Sequence, residues 1–329
     1  MDLQPGIHLF LGFRGTDPEE ELKHLITEYH PAGIVLFKRN IENPGQLTAL
    51  LSEAQAFAGE QMNRPLLVAI DQEGGKVQRL TPHFTSLPSA KALAEEGPEA
   101  VIRWAGICAA DLNQIGIHIN FAPVLDIVPR GRDHFMESRS LGSVPGAVAD
   151  LGRIWIETLQ ANRISATAKH FPGLGRAELD PHHFSPLIQG DSLEEFRRHL
   201  IPFQAAIKAG VNCVMTSHAV YPSVDPGRPA TLSPEINRTC LRERLGFGGL
   251  LFSDDLDMAA ISENYPPDSI VREGLACSTD FFLLCQKRES IEPFVSSLSA
   301  MLSSDAQLQQ YHAATVQRFN MLLRFHFGK

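Results

Sequence analysis

No stretch of this chain approaches the roughly 18 uninterrupted apolar residues that a membrane-spanning helix needs, so no span is expected. Cysteine is sparse: Cys108, Cys213, Cys240, Cys277 and Cys285 are odd in number, widely spaced and without a C-x-x-C pair. That argues against a zinc ribbon or a disulfide framework and favours reduced, buried thiols in a cytoplasmic protein. Basic charge is in deficit, with a formal net charge of -9, whereas a phosphate-backbone binder needs a basic face; no nucleic-acid partner is expected. Runs of like charge and low-complexity linkers are missing as well. The opening MDLQPGIHLFLGFRG lacks a basic n-region and reads as a first strand rather than a signal peptide. Three short motifs are absent too. Gly12-Phe13-Arg14-Gly15 does not have the G-x-G-x-x-G spacing of a dinucleotide site, Gly74-Gly75 does not have P-loop spacing, and no H-E-x-x-H occurs.

What is present is a regular alternation. Short apolar runs at Ile7–Phe13, Gly33–Phe37, Leu66–Asp71, His118–Ala122, Ala166–His170, Cys213–His218, Leu250–Asp254 and Phe281–Cys285 read as strands. Between them, apolar residues at i, i+3, i+4 spacing predict helices over Pro18–Tyr29, Gln46–Ala58, Val101–Ile115, Val148–Ala161 and Leu193–Ala209, and the stretch Ile291–Phe327 reads as helical. Asp17-Pro18-Glu19-Glu20 and Asp191-Ser192-Leu193-Glu194-Glu195 have the form of helix starts. Eight β–α units without a break in composition predict an α/β protein, a single TIM-like (β/α)₈ barrel forming one domain over residues 1–329.

The unusual polar residues fall just after strands: Asp71-Gln72-Glu73-Gly74-Gly75, Lys169-His170-Phe171-Pro172-Gly173, Thr216-Ser217-His218 and Ser253-Asp254-Asp255. In a parallel barrel all these positions open onto one face, where active sites are built. Asp254 at a strand mouth suits a nucleophile, a base or a metal ligand, while Asp255 or Asp257 also suits a helix cap. Asp180 and His182 are close enough for the carboxylate to orient the imidazole for proton transfer, on a Gly- and Pro-rich loop. A metal site is the rival use of those histidines, but no rigid ligand pair accompanies them and none is expected. Asp71, with Lys76 and Arg79 around a Gly-Gly turn, offers the acceptors and fixed donors that hold sugar hydroxyls; a surface salt bridge is the plainer alternative for either cation.

The segments AIDQEGGKVQRL, INFAPVLDI with MESRSLG, KHFPGLGRAELDPHH and GLLFSDDLDM, in that order, resemble glycoside hydrolase family 3, and within it the single-domain bacterial β-N-acetylglucosaminidases of the cell-wall recycling type. The resemblance implies a retaining enzyme without a cofactor that releases terminal β-linked N-acetylglucosamine (GlcNAc), from peptidoglycan fragments, as a cytoplasmic monomer. It implies Asp254 as nucleophile, His182 held by Asp180 as general acid/base, and Asp71, Arg79, Arg139, Lys169 and His170 as sugar ligands. Glu178, on the same loop, is the carboxylate alternative to His182. The chain departs from the family at Leu174, where G-H-G is usual, at Pro181 inside the dyad, and at Lys76 in place of arginine. Rival readings are a β-glucosidase or a GlcNAc phosphorylase of the same family, a metal-dependent hydrolase, and a sugar-binding barrel without activity.

Overall fold

The structure, a computed structural model, describes residues 3–18, 20–129, 134–177, 186–188 and 192–328. Eight strands, β1 (Leu9–Gly12), β2 (Gly33–Leu36), β3 (Leu67–Ile70), β4 (Ile119–Asn120), β5 (Ser165–Phe171), β6 (Cys213–Thr216), β7 (Leu250–Asp255) and β8 (Phe281–Leu284), pair in sequence order and close with β8 beside β1. Every pairing in the ring is parallel. All eight predicted strands are present, with ends moved by no more than two residues. The helices alternate with them and form an outer layer, as a (β/α)₈ barrel requires.

Successive strand side chains point to opposite faces, and this period of two sorts the core into two clusters. Leu9 and Leu11, Ile34 and Leu36, Val68 and Ile70, Leu251, and Phe282 and Leu284 pack outward beneath the helices. Phe10, Val35, Leu67 and Ala69, Phe121, Met215, Leu250 and Phe252, and Phe281 and Leu283 fill the interior. Phe10, Phe121, Phe252 and Phe281 form an aromatic plug there, with ring centroids 4.8–5.3 Å apart. Phe319, from helix Ala306–Phe327, meets Phe281 edge-on and closes the end of the barrel at which the strands begin.

Two predicted helices are each divided. Leu193–Ala209 breaks at Leu200 into Leu193–His199 and Ile201–Lys208, because Pro202 begins a new first turn and cannot donate to the preceding one. Ser192 caps the first segment by accepting the Glu195 amide, whereas its neighbour Asp191 lies outside the described residues. The C-terminal stretch divides at Asp305, whose carboxylate accepts the Gln307 and Leu308 amides and starts Ala306–Phe327.

That last helix is fixed to the barrel floor by ionisable groups. Asp280, fully buried at the start of β8, accepts from Arg318 at 2.6 Å, Arg242 at 2.7 Å and Thr315 at 2.7 Å. Beside it His8 Nε2 meets His312 Nδ1 at 3.0 Å, and farther round the floor the rings of His118 and His326 lie 5.3 Å apart. Burial lowers His8 and His118 to about 4 and His326 to about 3, and in the two pairs the second imidazole adds to the effect for His8 and His326. Folded histidines with lowered pKa contribute stability that is complete above 6.5 and is lost as pH falls toward 4, because the unfolded chain binds the extra protons. Asp255, raised to about 7 by burial and by the Asp257 and Asp254 charges, works in the opposite sense, as one group against three. The melting temperature is therefore expected to fall by about 5 °C or more between pH 7 and pH 5, and His326→Gln should flatten that dependence. A melting curve independent of pH across this window would remove the histidine pairs from the account.

Candidate active site

Following the inward phase to the far end of the strands locates the site. Past the aromatic plug, Phe37, Asp71, Met215, Asp254 and Cys285 continue the inward set of β2, β3, β6, β7 and β8. Together with Arg79 they line a cavity of about 350 Å³. Of the polar clusters singled out in the sequence, those at Asp71 and Asp254 reach this cavity by period-two counting, whereas Lys169, His170 and His218 are buried behind its walls.

One side of the site is a relay of alternating charge. Arg79 donates to Asp71 Oδ2 at 3.1 Å, and Lys169 Nζ donates to Asp71 Oδ1 at 2.8 Å. Lys169 also contacts Glu73 Oε1 at 2.7 Å, and Arg139 grips both Glu73 oxygens at 2.7 and 2.8 Å. The order Arg139–Glu73–Lys169–Asp71–Arg79 joins three separate parts of the chain. Its middle is buried, with Glu73 and Lys169 side chains 4% and 3% exposed, while Arg79 and Asp71 reach 25% and 19%. Burial alone would raise Glu73, but Arg139 and Lys169 overcome it and hold the carboxyl at about 2. Burial would lower Lys169, and Asp71 and Glu73 reverse the effect and raise it. An ammonium has three donors, and among the described residues two of them serve Asp71 and Glu73. The DQEGG segment achieves this by folding as a tight hairpin, Gln72–Gly74 against Val77–Gln78, which sends Asp71, Glu73 and Arg79 to the same side. Gly74 and Gly75 have φ of +100° and +57°, and a Cβ on Gly75 would lie 2.8 Å from Ser89 Cβ, so only glycine fits the turn. Arg79 is thus part of the cavity and not of a surface salt bridge; Lys76 is exposed at the hairpin tip.

Glu73 was not among the residues expected to carry the site, yet it anchors two of them. Glu73→Gln keeps the shape of the side chain and removes the shared charge. It should raise KM about 10- to 100-fold with a smaller change in kcat, because Arg139 and Lys169 lose the group that aims them. An unchanged KM would show that the two cations hold their positions without it.

His170 has a different environment from its neighbour. The pairing of β5 with β6 slips between Ala168 and Phe171, and the His170 ring, 4% exposed, bonds through Nδ1 to Asp126 Oδ2 at 2.7 Å. Like Lys169, Glu73 and Arg139, it is not among the residues lining the cavity. Asp126, the end of the INFAPVLD segment, has no exposure at all, and its Oδ1 also accepts the Leu174 amide at 2.6 Å. Burial would raise its pKa, but His170 and the two backbone amides lower it. One buried carboxylate thus ties His170 to the Leu174 backbone, in the segment that precedes Asp180 and His182 in the sequence. Tyr221 adds a second tie, donating from its hydroxyl to Gly173 O at 3.0 Å. Leu174 is buried in the outer core, which gives its apolar side chain a place where the family usually has histidine. Asp180, Pro181, His182 and Glu178 lie outside the described residues.

On the opposite wall, Asp254 Oδ1 accepts the Asp255 amide at 2.8 Å. The cap role considered for its neighbours is not what they do. Asp257 accepts the Gln286 and Lys287 amides and the Ser290 hydroxyl, and Asp255 accepts the Cys285 and Asp257 amides, so both pin the turn after β8 to the end of β7. The helix that follows, Ala259–Ser262, has no side-chain cap. Among the described residues, no group of three or more His, Cys, Asp or Glu side chains is arranged to hold a metal ion. All five cysteines are buried and unpaired.

The site sets a carboxylate across a barrel mouth from an ionic relay, and comparison with known proteins gives the family. Residues 7–319 match the family described as glycosyl hydrolase family 3 N terminal domain. The chain belongs to glycoside hydrolase family 3. It is a glycoside hydrolase acting on a small carbohydrate. A β-hexosaminidase of Pseudomonas aeruginosa (strain PAO1) is 36% identical over 296 residues, covering 89% of this chain and 86% of that protein. Among solved structures, a family 3 β-N-acetylglucosaminidase from Paenibacillus sp. str. FPU-7 superimposes with a TM-score of 0.93 at 34% identity. That alignment covers 99% of this chain and 63% of the longer Paenibacillus chain. The β-N-acetylhexosaminidase from Beutenbergia cavernae DSM 12333 gives 0.91 at 27% identity, with 98% of each chain covered.

Proposed function

We infer that this family 3 member is a β-N-acetylglucosaminidase that works with retention of configuration, with Asp254 as nucleophile and His182, oriented by Asp180, as general acid/base. The observation that carries the reading is the position of Asp254 on the inward phase of β7, in one cavity with Asp71 and Arg79. One Asp254 oxygen is occupied by the Asp255 amide, which leaves the other for the anomeric carbon. His182 protonates the departing oxygen as the bond to Asp254 forms through an oxocarbenium-like transition state. It then takes a proton from water as the glycosyl-enzyme is hydrolysed. The common template uses two carboxylates about 5 Å apart, so a histidine acid is a departure from it. The relay from Arg79 to Arg139 holds the sugar hydroxyls, and His170 is proposed as a further ligand oriented by Asp126.

The hexosaminide specificity draws support from the names of the relatives at 30–36% identity. The finer substrate, GlcNAc on peptidoglycan fragments, rests on the motif resemblance. We further propose a single catalytic domain over residues 1–329, acting as a monomer in the cytoplasm. Support comes from a barrel that closes on itself and from buried, unpaired thiols. Among the described residues no helix is long and apolar enough to cross a membrane.

A panel of chromogenic β-glycosides, with and without inorganic phosphate and after exhaustive chelation, tests the reading. Cleavage of the β-N-acetylglucosaminide well above the β-glucoside, with free GlcNAc as product in both buffers and no loss on chelation, is expected. Preference for the glucoside, accumulation of GlcNAc 1-phosphate, or loss of activity on chelation would each favour a different enzyme.

A further inference from the structure

The carboxylate proposed as nucleophile is oriented by a hydrogen-bond chain that begins on another strand. Among the described residues Asp254 accepts a hydrogen bond from the Asp255 amide, so the position of Asp255 bears on where the carboxylate points. The β7–β8 register slips between Phe252 and Asp255 and resumes at Asp255, which lies opposite Leu283 with the Leu256 amide donating to Leu283 O at 2.9 Å. At that irregular junction side chains add to the ladder in holding Asp255. Its Oδ1 accepts the Cys285 and Asp257 amides, both at 3.2 Å, and its carbonyl oxygen lies 3.0 Å from Nε2 of His218. His218, two residues beyond β6, is 1% exposed. A carbonyl can only accept, so Nε2 must carry the hydrogen and donate it. The other ring nitrogen, Nδ1, is 2.7 Å from Thr231 Oγ1, which also meets Thr216 Oγ1 at 3.1 Å and the Ser217 carbonyl at 2.9 Å. The ring is therefore gripped from both ends, on one side by a buried hydroxyl network and on the other by the backbone that carries Asp254.

We propose that His218 is a positioning residue: braced by Thr231, it fixes the Asp255 backbone so that Asp254 presents its free oxygen at the angle attack requires. The inference rests on the reading of Asp254 as nucleophile. It goes beyond packing, because misplacing a reacting group by about 1 Å can cost about 100-fold in rate while leaving binding nearly intact. The sugar-binding relay lies on the other wall and is untouched by any bond His218 makes to Asp255.

The test compares His218→Leu, His218→Gln, Thr231→Val and Asp254→Asn in the full chain. The readouts are kcat and KM on a chromogenic β-N-acetylglucosaminide and the rate of covalent labelling by a 5-fluoro glycosyl fluoride of the GlcNAc series. His218→Leu should lower kcat about 100-fold, with KM changed less than about threefold, and should slow labelling by a similar factor. His218→Gln offers an amide donor near the Nε2 position and should stay within about fivefold of wild type. Thr231→Val should lower kcat about tenfold, again without a change in KM. A leucine variant with wild-type kcat, a glutamine variant as impaired as leucine, or a loss confined to KM would overturn the proposal. Should His218→Leu fail to fold, wild-type kcat in Thr231→Val or no rescue by glutamine overturns it equally. Inactive Asp254→Asn beside fully active His218 variants would sink this inference alone, whereas an active Asp254→Asn would sink the nucleophile reading beneath it.

Discussion

Asp254→Asn is expected to lower kcat by about 10⁴-fold or more, roughly 5.4 kcal/mol of transition-state stabilisation. The asparagine keeps an oxygen that can accept the Asp255 amide, so neither the fold nor the cavity has a reason to change. What is lost is the anionic oxygen proposed to form the bond to the sugar, and water has no comparable carboxylate to replace it. KM for a β-N-acetylglucosaminide should change little, because the residues proposed to hold the hydroxyls sit on the Arg79–Asp71–Lys169 side. Asp255→Asn provides the contrast. That carboxylate is engaged with the Cys285 and Asp257 amides, its pKa is raised to about 7, and its loss is expected to cost less than about tenfold. If the two substitutions had equal effects, a nucleophile would no longer be distinguishable from a structural carboxylate.

The second large effect concerns the proton. His182→Ala should lower kcat on a natural disaccharide by about 10²- to 10⁴-fold, the range a positioned acid/base contributes. On an aryl glycoside with a good leaving group the first step needs little protonation, so the glycosyl-enzyme should accumulate and give a burst of phenol. Azide attacks without a general base. Adding it should therefore restore turnover at least about tenfold and yield the β-glycosyl azide, recording two inversions. Glu178→Ala should remain within about threefold of wild type. Azide rescue of Glu178→Ala with an active His182→Ala would transfer the role to the carboxylate.

The fold was legible because period-two alternation is written in single residues. Phe10, Val35, Phe121, Phe252 and Phe281 alternate with outward leucines and isoleucines, and counting on from them reaches Phe37, Asp71, Asp254 and Cys285 at the mouth. What the alternation could not give was pairing. Glu73 stands in a motif whose aspartate and arginine attract notice first, and its grip on Arg139 joins residues 66 positions apart. Asp126 closes an apolar run and reveals its purpose only when His170 and Leu174 fold against it. His218 was visible as a polar residue after a strand, but its link to Asp255 spans 37 positions. The missed helix breaks had local signals, since Pro202 and the cap Asp305 both stand in the sequence; a continuous apolar period concealed them.

Covalent trapping tests the central claim most directly. Incubating the enzyme with a 5-fluoro glycosyl fluoride of the GlcNAc series should stop turnover with one sugar bound per chain, and peptide mass spectrometry should place that sugar on Asp254. A label on Asp255, Asp71 or Glu178, or continued retaining turnover by Asp254→Asn with no labelled residue, would contradict the account.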